Sequence, residues 1–135
     1  MSLRVLALAN VIVGLAFGVG LVFAPDFLLG SYGLQTSAVT VLVARLMGAE
    51  FLGFNTMTLL VLGQLENPPV GRALIFGRLL SEGSAAIVAW IALVTGMGKV
   101  AGQGNTMLWT IPAIYTVFTL GYFYFLVRQS WDSKS

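Results

Sequence analysis

Four apolar stretches, each about as long as an α-helix must be to cross some 30 Å of hydrocarbon, constrain this chain more than any other feature. They run over 5–23, 38–62, 73–95 and 107–127. Inside a bilayer the backbone N–H and C=O groups find no water, and a helix satisfies all of them within one segment. The pattern therefore predicts an all-α fold, a bundle of four transmembrane helices in a single membrane domain spanning the 135 residues. Composition agrees, because 58% of the residues are hydrophobic and 9% charged, with mean hydropathy +0.92. A water-soluble domain carries about a quarter charged residues and has no core large enough for so much apolar surface.

The connections are short and rich in turn formers: Pro25-Asp26 with Gly30 and Gly33, then Glu66-Asn67-Pro68-Pro69, then a glycine-rich run over 96–105. Short connections make neighbouring helices antiparallel. After the first helix, Pro25 can open a helical turn, Phe27-Leu28-Leu29 is apolar, and Gly30 or Gly33 can close it in a left-handed conformation. The segment reads either as a short interfacial helix or as an ordered loop over the end of the bundle. The first apolar stretch reads as a retained helix, not a signal peptide, since its 19 residues exceed the h-region of about 7 to 15 and Pro25 would follow the cleavage site.

Orientation follows from basic residues in the short flanks. With the N-terminus inside, Arg4, Arg72, Arg128 and Lys134 share the cytoplasmic side and only Lys99 lies opposite. Both termini are expected in the cytoplasm. Phe27, Tyr32 and Trp109 then fall near the outer boundary and Tyr122, Tyr124 and Trp131 near the inner one, where aromatic rings concentrate.

With no Cys the chain has no disulfide or thiolate metal site, and with no His it lacks the commonest metal and haem ligand, so no metal site or cofactor is expected. The net charge of +2 comes with seven basic residues, several at helix ends, which gives nucleic acid no basic stripe. No recognised catalytic constellation is present, and enzymatic activity is disfavoured.

Charges inside the second and third helices are the most informative residues: Arg45 and Glu50 in one, Arg78 and Glu82 in the other, with Asn55 a further polar group. A charge at a helix centre costs about 2.5 to 3.5 kcal/mol on insertion scales, while each Leu, Ile, Phe or Val returns about 0.3 to 0.6. The second helix has twelve such residues against two charges, so its insertion is marginal without partners. Arg78 and Glu82 lie four apart and can pair on one face. Arg45 and Glu50 lie five apart, about 140° around the axis, and must look elsewhere. Counting depth along antiparallel helices puts Glu50 level with Glu82 and Asn55 level with Arg78. A polar cluster between the second and third helices follows. It serves as glue for the bundle, as a ligand or headgroup site, or as a proton or ion path.

A weak internal match sets Arg45-Leu46-Met47-Gly48-Ala49-Glu50 beside Arg78-Leu79-Leu80-Ser81-Glu82, with a gap of one residue. Small residues four apart, Gly14 with Gly18, Ala44 with Gly48 and Gly77 with Ser81, predict close helix packing. Pro112 is expected to kink the fourth helix, and Tyr115 offers a hydroxyl one turn further in. The candidate site is therefore Arg45, Glu50, Asn55, Arg78, Glu82 and Tyr115.

The segments Ala24-Pro25-Asp26-Phe27, Tyr32-Gly33-Leu34 and Ala44-Arg45-Leu46-Met47-Gly48-Ala49 resemble small four-helix bacterial membrane families related to DoxX. The resemblance implies a four-helix bundle in the bacterial inner membrane, loosely associated with redox or quinone-linked assemblies, and it transfers no site residue. The expected function is a non-enzymatic accessory or binding subunit of a membrane complex that holds a lipid-like or quinone-like molecule. The alternative is a small oligomeric transporter or channel in which Glu50 and Glu82 handle protons or cations. Partners are then membrane lipids, partner membrane subunits or further copies of the chain, and not nucleic acid.

Overall fold

The computed structural model describes residues 2–95 and 109–132, the stretch 129–132 by its backbone alone. The glycine-rich connection over 96–105, the expected helix start at Met107, Lys99 and Lys134 lie outside the described residues. Among the described residues five α-helices follow one another: α1 (Leu3–Phe23), a short α2 (Pro25–Ser31), α3 (Ala38–Val61), α4 (Pro68–Val94) and α5 (Thr110–Asp132). All but α2 are long and apolar enough to cross a membrane. Their outward surface is apolar as well, with Phe23, Leu60, Leu80 and Val94 each more than 70% exposed, which suits a surface solvated by lipid.

Local chemistry sets the boundaries. Ser2 caps α1 by accepting from Val5 N–H, and Ser37 and Thr40 form a reciprocal capping box at the start of α3. α4 begins at Pro68, five residues before the expected start at Ala73. The reason is that a proline pair at the first helical positions fits the helical φ and needs no N–H acceptor there. The same logic removes the expected kink of the last helix: Pro112 falls in the first turn of α5, where the missing N–H has no intrahelical partner to lose. Of the two ways of closing the first connection, the helical one holds. After α2 and its C-cap Tyr32 the chain turns at Gly33, whose φ of 72° suits a residue without Cβ, while Gly30 stays within the helix.

The long helices form two antiparallel pairs, α1 with α3 and α4 with α5. Small residues bring α1 and α3 together. A Cβ on Gly48 would stand 2.9 Å from the Gly18 carbonyl oxygen and 2.8 Å from Leu21 Cβ, and one on Gly14 would collide with the Asn55 amide. Gly77 has no such role, since the nearest atom to a Cβ there is Phe54 at 3.8 Å. The pairs join at the end that carries both termini. There Leu6 of α1, Ile75 of α4 and Phe118, Tyr122 and Phe125 of α5 make the main core, with Ala7, Leu65 and Leu74 beside it. Toward the other end α3 and α4 hardly touch.

Replacing Gly48 by Ala is expected to lower stability by about 1–3 kcal/mol, because neither the α1 backbone nor Leu21 can retreat far. Gly63→Ala, where nothing lies within 4 Å, is the control expected to change stability by less than about 0.5 kcal/mol. Unfolding of both variants in mixed micelles checks this.

Candidate functional site

Arg78, one of the most deeply buried side chains in the described residues, sits midway along α4 with 2% of its surface exposed. A guanidinium in hydrocarbon must find acceptors for its donors, and this one finds them on three helices. Nη1 donates to Asn10 Oδ1 of α1 at 2.9 Å and to Glu82 Oε1 of its own helix at 3.2 Å. Nη2 donates to Asn55 Oδ1 at 2.8 Å and Thr58 Oγ1 at 2.7 Å, both on α3. The Phe54 ring covers the guanidinium at 4.4 Å, a cation–π contact strengthened by the burial of Arg78.

Each acceptor is itself held. Asn10 turns its amide N–H to Glu82 Oε1 at 2.9 Å, Asn55 donates to the Phe51 carbonyl at 2.7 Å, and Thr58 donates to the Phe54 carbonyl at 3.0 Å. Both amides are thus fixed in direction by what they give and what they receive. The ion pair with Glu82 makes the assembly electrically neutral. Two buried donors, Arg78 Nε and the Tyr122 hydroxyl, have no partner among the described residues.

One side of the cluster faces a cavity of about 700 Å³. Its floor is Asn10, Asn55, Arg78 and Glu82; its walls are Val43, Met47 and Phe51 of α3, Ser81, Ala85 and Ala89 of α4, and Ile114 and Tyr115 of α5. Leu28, Leu29 and Tyr32 of the α2 segment lie at its far end. The space exists because α4 presents small residues there: Ser81, Ala85, Ala89 and Ala92 do not reach α3. Val43 and Met47 on one side and Ser81, Ser84 and Val88 on the other line the cavity and are also exposed, so it opens sideways between α3 and α4. Below the cluster the same gap continues as a smaller cavity of about 400 Å³ beside Met57, Val61 and Gly77, with Phe54 between the two.

Beside the cluster, polar atoms of Glu82 and Tyr115 are available to whatever fills the larger cavity. Glu82 Oε1 is engaged twice, but Oε2 accepts no hydrogen bond from the described residues and is not sealed away from the cavity that Glu82 lines. Tyr115 lines the same cavity, and its hydroxyl has no protein partner among the described residues. The Arg78 terminal nitrogens, by contrast, are fully engaged inside the protein.

Of the residues picked out by sequence, the structure brings together Asn55, Arg78 and Glu82 and places Tyr115 on the wall of the same cavity. The expected level match of Asn55 with Arg78 is a direct hydrogen bond. Arg45 and Glu50 are not part of the cluster; both are exposed on α3. The inserted residue in the weak repeat explains the difference, since four-residue spacing keeps Arg78 and Glu82 about 40° apart on one face whereas five turns Arg45 and Glu50 to different flanks. Sequence reasoning overlooked Asn10, Thr58 and Phe54. Asn10 carried a signal: it is the one amide in α1, and a lone amide in an apolar span must find a partner across the bundle.

Replacing Arg78 with Met is expected to cost about 3–5 kcal/mol, since Glu82 loses its counter-charge and three acceptors lose their donor. Arg78→Met combined with Glu82→Leu is expected to recover part of that loss, giving a coupling of at least about 1 kcal/mol in a double-mutant cycle of unfolding free energies. Additive losses would mean that the two residues do not act as a pair.

No protein-family model, curated protein or solved structure matches this chain at a significant level.

Proposed function

We propose that this integral membrane protein is a non-enzymatic binder of an amphipathic molecule with a long apolar tail and a small hydroxyl-bearing head, a quinol or a hydroxylated lipid, acting as an accessory subunit of a membrane complex. The observation that carries this reading is the cavity: apolar on its walls, polar at its floor, and open sideways to where lipid tails lie. A volume of about 700 Å³ is in the range of sites for small organic ligands, which use mostly apolar walls and a few fixed polar groups.

The free polar atoms select the head. A carboxylate paired with a guanidinium offers lone pairs and no proton, so Glu82 Oε2 takes a donor. The Tyr115 hydroxyl both gives and takes. A hydroxyl donating to Glu82 and accepting from Tyr115 satisfies both groups. A phosphate or carboxylate head is disfavoured, because Arg78 has no terminal N–H left for it and Glu82 repels it. The tail leaves through the opening between α3 and α4. By the distribution of basic residues the head lies near mid-depth and the wide end of the cavity faces away from the cytoplasm, in a cell membrane with both termini inside.

A transporter built on a pair of glutamates needs Glu50 and Glu82 in one site. Glu50 stands on an exposed flank of α3 outside the cluster, so the geometry favours the binding reading.

The test is mass spectrometry of the protein purified gently from its membrane, followed by the variant Ala85→Phe, which fills the cavity without touching the polar floor. A hydroxyl-headed amphiphile bound near one per chain, and lost by at least about tenfold in Ala85→Phe, is the expected result. Retention of the same molecule by the filled variant would show that it binds elsewhere. If the wild type retains no amphiphile, the reading fails.

A further inference from the structure

We infer that the outer face of α3 is the contact surface for a second copy of this chain, closed by two symmetric ion pairs, each from Arg45 of one copy to Glu50 of the other. Both residues are exposed, both lie well inside a helix that spans the membrane, and they face outward where the rest of the surface is apolar. Arg45 is seven residues from the start of α3 and Glu50 twelve, placing them about 10 and 18 Å along an axis of about 36 Å. Ionised groups at that depth facing lipid are costly, and membrane proteins resolve the cost by pairing them. Within one copy they cannot pair, being about 140° apart on the helix.

The pattern around them specifies the partner. Leu42, Leu46, Ala49, Gly53, Thr56 and Leu60 are all exposed and recur in steps of four and three, the seam pattern of a two-stranded coiled coil. Residues on the opposite side of the helix, Ala44, Gly48, Asn55 and Thr58, are those buried in the bundle. Arg45 and Glu50 stand on the two flanks of the exposed seam, about 70° to either side of it. In that heptad frame they occupy the g position and the e position that follows it, the places from which parallel helices exchange interhelical salt bridges.

Copies of one membrane protein insert in the same direction, so two α3 helices meet in parallel about a two-fold axis along the membrane normal. The Arg45 flank of each then faces the Glu50 flank of the other. The axial offset of five residues, about 7.5 Å, is bridged by two long side chains. One interface thus neutralises all four charges, and no other protein is needed to do so. Ala49 and Gly53 add a small-residue patch at the seam, with nothing within 4 Å of a Cβ built on Gly53, which lets the two backbones approach. The contact is independent of the cavity, which opens on the side of α3 that faces α4.

Two measurements on the full-length protein in phosphatidylethanolamine–phosphatidylglycerol vesicles test the inference. Single-molecule photobleaching of labelled chains is expected to show dimers, with Arg45→Glu alone or Glu50→Arg alone raising the dissociation constant at least about tenfold and the double exchange restoring it to within a few-fold. Because the chain has no cysteine, disulfide trapping provides a second reading that does not depend on removing a charge. Ala49→Cys at the seam is expected to cross-link under mild oxidation, and Ile87→Cys on the exposed face of α4 is not. A wild type that is monomeric, single exchanges without effect, or a double exchange that leaves the dimer broken would overturn the inference. So would a stoichiometric foreign subunit cross-linking to Ala49→Cys in the native membrane.

Discussion

A guanidinium cannot be left alone in hydrocarbon, and the bundle is organised around that constraint. Arg78 carries four hydrogen bonds to side chains of α1, α3 and α4 and stacks on Phe54. Three transmembrane helices are thereby held at fixed depth and rotation by one residue. Apolar packing alone would not do this, since lipid tails solvate a leucine as well as another helix does, and helix association in membranes relies on close packing and hydrogen bonds. Glu82 compensates the charge, while Asn10 and Asn55, each donating one bond and accepting another, fix the direction of the bonds they make.

The same joint leaves room beside itself. The α1–α3 pair is tight because Gly18 and Gly48 allow backbone contact and Gly14 leaves room for the Asn55 amide, and the α4–α5 pair meets α1 through Leu6, Ile75, Phe118 and Tyr122 at the end bearing the termini. Between α3 and α4 the polar bridge acts at mid-height, and above it the small residues of α4 fall short of their neighbours. A cavity with an apolar wall and a carboxylate oxygen at its floor is the consequence. Tight packing on one side and deliberate emptiness on the other come from residues of the same small size, used against a close backbone in one place and against an open gap in the other.

Much of this was legible in the sequence. Apolar length gave four spanning helices, and the four-residue spacing of Arg78 and Glu82 gave their pairing. Depth counting gave the contact of Asn55 with Arg78. What stayed hidden depended on rotation about a helix axis, not on depth. Glu50 has the right level to join Glu82, but the direction in which it points is set by which face of α3 meets α1, and that is fixed by Ala44 and Gly48 on the opposite side. Asn10 bears no charge and stands out less than its partners in an apolar span, although a neutral amide bridges an arginine and a glutamate well, having both a donor and an acceptor. The small residues of α4 carry an ambiguous message in sequence, since the same spacing marks close packing at Gly18 and Gly48.

On the proposed reading, the space between α3 and α4 is a lipid-accessible pocket ending on Glu82. Photo-crosslinking with a hydroxyl-headed bilayer lipid that carries a diazirine next to its head, mapped by peptide mass spectrometry, tests it directly. Labels concentrated on the cavity wall, at Met47, Phe51, Ser81 and Ala85, are the expected result. Labels confined to outward residues such as Leu80 and Ile87, with none on the wall, would contradict it.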